Sequence, residues 1–312
     1  FCGMKLKGYL LAAVAAATYG TNPAFAVPLY EMGMNPTSVL LFRYLFSLPI
    51  LLVMLLWRKR SLRLERRRLM PVAVLGILMG LSSLGLFESY KYMNSGVAST
   101  LLFIYPVLVA VLMAFFFHER FRITTGICLV LMSGGLLLLL RTEGGFTLSV
   151  MGCLMVFLSS LTYALYLVMT NVSQAVRDIP TLKLLFWQLL IGSSVFVFMI
   201  AAGEPLALPA KPVGWLDVLA LALLPTVVSL GCTTMAIHWI GPTPTAIFGA
   251  LEPVTAVVLS VVVLDQTLSA REIAGGLLIV LATSMVVVAD PIDHVLLRMR
   301  RMFPSLRRKR QL

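Results

Sequence analysis

The sequence predicts an all-α integral membrane protein with ten transmembrane helices in two inverted five-helix repeats. Three observations predict this fold class: the composition, the lengths of the apolar segments and the recurrence of short motifs along the chain. Of the 312 residues, 60% are hydrophobic and 12% are charged, and the mean hydropathy is +0.97. Soluble domains contain about 25% charged residues, so we expect most of this chain to lie in a lipid bilayer.

The apolar segments have the length that a bilayer requires. A helix of about 20 residues, rising 1.5 Å per residue, crosses roughly 30 Å of hydrocarbon. Ten such segments follow one another with short connections, which leave no room for a soluble domain. The predicted spans 1 to 10 are residues 8–29, 37–57, 70–91, 97–117, 123–141, 147–170, 182–202, 214–237, 243–264 and 271–289.

Short motifs recur at nearly constant offsets between the two halves. Thr18-Tyr19 returns as Thr162-Tyr163, and Tyr105-Pro106 corresponds to Glu252-Pro253. We therefore predict a first repeat over 5–141, a second over 147–290 and a basic cytoplasmic tail over 291–312. Five spans per repeat place the second copy upside down in the bilayer. Such inverted repeats are typical of secondary transporters, which bind substrate near the midplane between the copies.

Span 1 follows Lys5 and Lys7 and contains Ala24-Phe25-Ala26, so it resembles a signal peptide with a cleavage site. We expect it to be retained, because it matches span 6 in the repeat and its removal would break the symmetry.

The net charge of +12 is unevenly distributed. Basic residues concentrate at the N-terminus, in the connections after spans 2, 4 and 6, and in the tail, all on one predicted side of the membrane. The positive-inside rule then places both termini in the cytoplasm. We interpret Arg307-Arg308-Lys309-Arg310 as a topology anchor that contacts anionic lipid. Membrane lipid is therefore an expected partner, and nucleic acid is not.

Motifs for enzyme chemistry are missing from the sequence. The four cysteines form no CxxC pair, and the three histidines have no partner at ligand spacing, so no metal site is predicted. There is no HExxH motif and no Ser–His constellation for an intramembrane enzyme. We therefore predict neither an enzymatic activity nor a cofactor.

A set of motifs resembles a known family over about residues 5–290. The chain resembles the drug/metabolite transporter superfamily, specifically its ten-helix members with two EamA-type repeats. The motifs are Arg43, Tyr90-Lys91-Tyr92, Ala98-Ser99, Tyr105-Pro106, His118-Glu119-Arg120, Glu252-Pro253, Asp265-Gln266 and the glycine-rich 275–279. The resemblance implies a small-molecule substrate and a multi-pass location in the cell membrane, in bacteria the inner one. Members of the family export amino acids, including aromatic ones, or move other metabolites and drugs.

Two departures from the family pattern distinguish this chain. Gln266 stands where members commonly carry Glu, beside Asp265. Trp187-Gln188 replaces the Arg43-Tyr44 pair of the first copy. We therefore expect the two halves to differ chemically.

Arg43 and Glu88 lie within predicted spans, where an unpaired charge costs at least about 2–3 kcal/mol. Their depths are similar, so we expect an ion pair. The pair is either a gate, with Arg43 holding a substrate carboxylate in bidentate fashion, or a permanent bridge between spans 2 and 3.

Glu252 lies near the middle of span 9, immediately before Pro253. Proline removes a backbone donor, so a kink is expected beside this carboxylate. Tyr105-Pro106 occupies the corresponding place in span 4. Glu252 can bind a substrate ammonium, take up a proton, or serve packing through a hydrogen bond to a neighbour.

Span 1 is interrupted by Gly20-Thr21-Asn22-Pro23, which puts Tyr19 and Asn22 on one face. The equivalent part of span 6 supplies Tyr163 and Tyr166 at the same spacing. We expect these side chains to line a cavity that stacks a ring and bonds a polar head, although packing with satisfied hydroxyls is the alternative. Gln188 and Thr234 are weaker candidates for the same cavity.

The favoured function is export of small amphipathic metabolites, mainly apolar or aromatic amino acids, by alternating access around a central site. The alternative is an exporter of lipophilic cations or drugs, with proton coupling left open. Channels show a pore loop or a ring of like charges, which this sequence does not. Glycines in spans 3, 5 and 10 are compatible with a homodimer, but a monomer suffices.

Overall fold

The computed structural model describes residues 2–59, 61–89, 92, 101–117, 123–139, 149–252, 254–255, 258, 270–271, 273–282 and 284–285. Within these residues the chain forms helices and turns, and no strand is present. The predicted features at residues 90–91, 98–99, 118–120, 253, 265–266 and 286–312 lie outside them.

The helices follow the predicted spans closely. They are α1 (Cys2–Tyr19), α2 (Asn22–Glu31), α3 (Pro36–Trp57), α4 (Arg66–Ser89), α5 (Tyr105–Phe117), α6 (Ile123–Leu139), α7 (Val150–Val172), α8 (Gln174–Arg177), α9 (Thr181–Ala201), α10 (Gly214–Leu221), α11 (Ser229–Ile240), α12 (Pro242–Phe248) and α13 (Ile273–Ala282). A π-helical segment, Ala222–Val228, joins α10 to α11.

Six stretches of the described chain are long and apolar enough to cross a membrane, which makes this a multi-pass membrane protein. They are Lys5–Glu31, Pro36–Trp57, Arg66–Ser89, Val150–Val172, Thr181–Ala201 and Gly214–Ile240. Shorter apolar helices correspond to predicted spans 4, 5 and 10. Span 9 is described mainly at its start, by α12, so the count of ten helices stays a prediction.

Local sequence signals set several of the helix ends. The Asn35 side chain accepts a hydrogen bond from the Ser38 backbone N–H at 2.8 Å and caps α3, whose first residue is a proline. Gly241 follows α11 with a φ of 88°, a conformation that favours glycine.

Small residues bring the central helices close together. A Cβ atom at Gly76 on α4 would lie 2.7 Å from the Gln188 carbonyl oxygen on α9. A Cβ atom at Gly192 on α9 would lie 2.8 Å from the Gly76 carbonyl oxygen. Side chains at both positions would force the helices apart, which is the usual role of glycine at a membrane helix interface.

Two of the spans are broken at their middle. Span 1 turns at Gly20-Thr21 between α1 and α2, as the sequence predicts. Span 8 widens into the π-helix around Pro225, which cannot donate a backbone hydrogen bond. The halves of these spans pack as pairs, α1 against α11 and α2 against α10. The cavity described next lies beside the break in span 1.

Candidate substrate site

A small cavity lies among the helices α1, α5, α7, α11 and α12. It has a volume of about 30 Å³, enough for about two water molecules. The lining residues are Ala12, Ala15, Ala16, Tyr19, Tyr105, Tyr163, Leu167, Ser229, Thr233, Thr245, Ala246, Gly249 and Glu252. The structure thus brings together four of the predicted site residues, Tyr19, Tyr105, Tyr163 and Glu252.

Tyrosine rings form one wall of this cavity. The rings of Tyr105 and Tyr163 meet edge to face, with centroids 4.9 Å apart. Behind Tyr163, the ring of Tyr166 is stacked parallel to it at 6.0 Å. Tyr105 also donates a hydrogen bond from its hydroxyl to the Ala246 carbonyl oxygen at 3.2 Å. The wall therefore offers apolar ring faces to a ligand while one hydroxyl is already engaged.

Glu252 supplies the carboxylate of the cavity. The hydroxyls of Tyr19, Tyr105 and Tyr163 all interact with it electrostatically. Within the described part of the chain, the carboxylate makes no hydrogen bond and no ion pair. An unpaired carboxylate inside a helix bundle is costly. A bound cation or a proton would remove that cost.

The break in span 1 lies directly against Glu252. A Cβ atom at Gly20 would be 2.6 Å from the Glu252 carbonyl oxygen and 2.9 Å from the Thr255 Cβ atom. Only glycine allows this approach, which explains the residue at the turn.

Arg43 lies next to the cavity and is 1% exposed. Its Nε donates to the Thr226 hydroxyl at 2.6 Å, and its other nitrogens donate to the Pro225 carbonyl at 3.2 Å and the Asn22 side chain at 3.4 Å. The guanidinium also lies over the Tyr19 ring, 5.5 Å from its centroid. Its charge also acts on Glu252.

The expected ion pair between Arg43 and Glu88 is not formed in this structure. Both residues are described, and within the described part of the chain the Arg43 guanidinium donates to Thr226, Pro225 and Asn22 rather than to Glu88. The π-helix of span 8 explains the difference, because it presents a hydroxyl and a carbonyl to Arg43. Glu88 is partly buried near the end of α4 and takes part in other interactions.

The remaining predicted site residues lie outside the cavity lining. Asn22 is 9% exposed and faces Arg43. Thr234 donates to the Leu230 carbonyl oxygen of its own helix. The Nε2 atom of Gln188 is buried and has no hydrogen-bond partner within the described residues. The hydroxyl of Tyr166 is also buried and interacts with Thr170 and Thr234.

Several polar residues at the site were missed by the sequence analysis. Ser229 donates to the Ala15 carbonyl oxygen at 2.9 Å and joins α11 to α1. Thr233 follows one turn later on the same face of α11, and Thr245 lines the cavity from α12. The spacing of Ser229 and Thr233 was a readable signal, and so was Pro225 at mid-span.

As for metals, the described residues contain no group of three or more His, Cys, Asp or Glu side chains able to hold an ion.

Comparison with known proteins identifies the family. Residues 6–141 and 150–288 each match the EamA-like transporter family. The chain belongs to the EamA-like transporter family. This confirms the resemblance seen in the sequence and makes the protein a membrane transporter of small molecules.

Two relatives show the extent of the similarity. This EamA-like transporter is 25% identical over 254 residues to an uncharacterized transporter, YdfC, of Bacillus subtilis (strain 168). The aligned residues cover 80% of each chain. It also resembles a protein of known crystal structure with a TM-score of 0.75 and 19% identity, over 89% of this chain and 96% of the other. At that identity the second likeness shows the fold alone.

Proposed function

We propose that this EamA-like transporter exports small amphipathic metabolites, chiefly amino acids with apolar or aromatic side chains. The transport site is the cavity among Tyr19, Tyr105, Tyr163 and Glu252. The two repeats are inverted about this site, both termini are cytoplasmic, and the substrate crosses by alternating access. The observation that supports this proposal is that one cavity holds one carboxylate and three tyrosines.

The chemistry of the cavity suits such a substrate. Glu252 provides a counter-charge for an ammonium group, and the tyrosine rings provide apolar faces for a side chain. Arg43 lies beside Tyr19 and carries the opposite charge. In this proposal a monomer is sufficient for transport.

The cavity volume supports alternating access. Sites for small molecules usually have about 300–1,000 Å³, whereas this cavity has about 30 Å³. A cavity of this volume is too small for an amino acid, so in this proposal it opens during transport. The breaks in spans 1 and 8 are the places where the backbone can bend.

The experiment is a flux assay in liposomes with the purified protein. We expect saturable uptake of labelled leucine or phenylalanine by the wild type. Glu252→Gln should lower this flux by at least about tenfold, because a neutral amide no longer pairs with an ammonium. Glu31→Gln, which changes an exposed carboxylate at the end of α2, is the matched control and should transport normally. Unchanged flux in Glu252→Gln would refute this role of the cavity.

A second candidate substrate is a lipophilic cation. Three tyrosine rings around one carboxylate also suit a cation without a carboxylate of its own. Flux of cationic dyes without flux of amino acids would favour this candidate. A pH-sensitive dye inside the same liposomes tests proton coupling, since a carrier that exchanges protons acidifies or alkalises the lumen as substrate moves.

A further inference from the structure

Arg43 connects the two broken spans. From α3 its guanidinium reaches Asn22, the first residue of α2 after the break in span 1. It also reaches Pro225 and Thr226 within the π-helix that breaks span 8. One side chain therefore fixes both breaks to a third helix.

The half-helices beyond the two breaks pack against each other and against α3. α2 and α10 pack together, with Leu29 of α2 and Leu221 of α10 in one apolar cluster. This pair is separated from the α1–α11 pair by the turn at Gly20-Thr21 and by the π-helix. We call α2 and α10 together the hinged unit.

The hinged unit rests on α3 through Trp215. The Trp215 ring of α10 is stacked on Phe46 at 5.6 Å and meets Phe42 edge to face at 5.3 Å. Movement of the hinged unit away from α3 would break both ring contacts.

Arg43 binds only neutral acceptors in the described part of the chain. Two are oxygens of the π-helix, and the third is the Asn22 amide at the long distance of 3.4 Å. A carboxylate accepts two parallel bonds from a guanidinium, and these are shorter and stronger than bonds to neutral acceptors. A carboxylate entering beside Tyr19 would therefore compete with the acceptors that hold the hinged unit.

We propose that Arg43 is a latch on the hinged unit, and that the carboxylate of a zwitterionic substrate releases it while the substrate ammonium binds Glu252. This inference rests on the proposed function for the identity of the substrate. Leucine binds between the two charges, Arg43 leaves Thr226, Pro225 and Asn22, and α2 and α10 swing away from α3. The released conformation binds the carboxylate more tightly, which is the condition for a ligand to shift a conformational equilibrium.

The latch restricts the substrate to molecules with both charges. A decarboxylated or amidated amino acid pairs its ammonium group with Glu252, but it has no carboxylate to release the latch. An organic acid without an ammonium group leaves Glu252 unpaired. The site therefore selects α-amino acids over their decarboxylated and amidated analogues.

The fluorescence of Trp215 reports whether the hinged unit moves away from α3. In a variant with Trp57, Trp187 and Trp239 replaced by Phe, it is the single tryptophan. Leucine should shift its emission to the red and increase its quenching by iodide, since the ring leaves Phe42 and Phe46. Leucinamide should produce neither change, and its flux in liposomes should be at least about tenfold lower than that of leucine. An equal emission shift with leucinamide would overturn the proposal.

Thr226→Val tests the latch without any substrate. Valine keeps the shape of threonine but removes the acceptor at 2.6 Å from Arg43, together with a bond from the same hydroxyl to the Leu221 carbonyl oxygen. We expect Trp215 to be more accessible to iodide in this variant before substrate is added. Thr162→Val, which removes a hydroxyl bonded only to carbonyls of its own helix, is the matched control and should resemble the wild type. Trp215 accessibility in Thr226→Val equal to that in Thr162→Val would overturn the latch.

The two tests separate the possible failures. Absence of leucine flux in the wild type refutes the proposed amino-acid function, and the Thr226→Val comparison still decides the latch. Leucine flux that persists at the wild-type rate in Arg43→Lys would overturn the latch alone, because lysine keeps the charge but not the bidentate geometry.

Discussion

The hydroxyl of Tyr105 occupies the space that a side chain at Gly249 would fill. A Cβ atom on Gly249 would overlap this hydroxyl, which donates a hydrogen bond to the Ala246 carbonyl oxygen. α5 and the end of α12 therefore meet at a contact that only glycine allows. Both residues also line the cavity, so the contact fixes the tyrosine wall.

Gly249→Ala should lower both flux and thermal stability. The added methyl group forces Tyr105 out of its position, and overpacking of this kind costs about 1–3 kcal/mol. The measurement is leucine flux in liposomes together with the unfolding temperature in detergent. The double variant Gly249→Ala/Tyr105→Phe should recover most of the lost stability, because the overlapping oxygen is gone. No recovery would show that the damage arises elsewhere.

Two adjacent glycines on α6 should respond differently to the same substitution. A Cβ atom at Gly135 would lie 2.7 Å from the Gly275 carbonyl oxygen and from a side-chain carbon of Ile279, close to α13. A Cβ atom at Gly134 would meet nothing within 4 Å. Gly135→Ala should lower the unfolding temperature, whereas Gly134→Ala should stay within about 0.5 kcal/mol of the wild type. Equal effects would argue against the close contact of α6 and α13.

Tyr166→Phe should leave the stability almost unchanged. The Tyr166 ring is fully buried and stacked on Tyr163, and its hydroxyl interacts with Thr170 and Thr234 without forming a hydrogen bond of good geometry within the described residues. Removal of a buried hydroxyl whose hydrogen bonds are poorly formed costs little. Thermal unfolding of this variant checks the expectation, with Tyr105→Phe as the comparison that loses a bond. A large loss of stability in Tyr166→Phe alone would contradict it.

The sequence predicted a helical membrane protein and four of the residues that line the cavity, for a physical reason. Placing a polar residue at mid-span depth costs free energy in a bilayer. The depth of four polar residues therefore indicated that they face the inside of the helix bundle: Tyr19, Tyr105, Tyr163 and Glu252. The structure brings these four to one cavity. Their role in binding remains a proposal.

The sequence did not predict what surrounds Arg43. Depth along a span gives the height of a residue in the membrane but not the helix that it faces, which is why the expected pairing with Glu88 was wrong. The π-helix around Pro225 depends on packing against α3, where the Ser47 hydroxyl donates to the Ala222 carbonyl oxygen. Gln188 and Thr234 had suitable depth but lie outside the cavity lining for the same reason.

The most direct test of the cavity as the transport site is to block it chemically. Ala16 lines the cavity on α1, whereas Val14, two residues earlier, is 45% exposed and does not. In a variant with the native cysteines replaced by alanine, a bulky methanethiosulfonate reagent should abolish leucine flux in Ala16→Cys and spare it in Val14→Cys. Saturating leucine should slow the modification of Ala16→Cys. Full flux through the modified Ala16→Cys protein would contradict the assignment of this cavity as the substrate path.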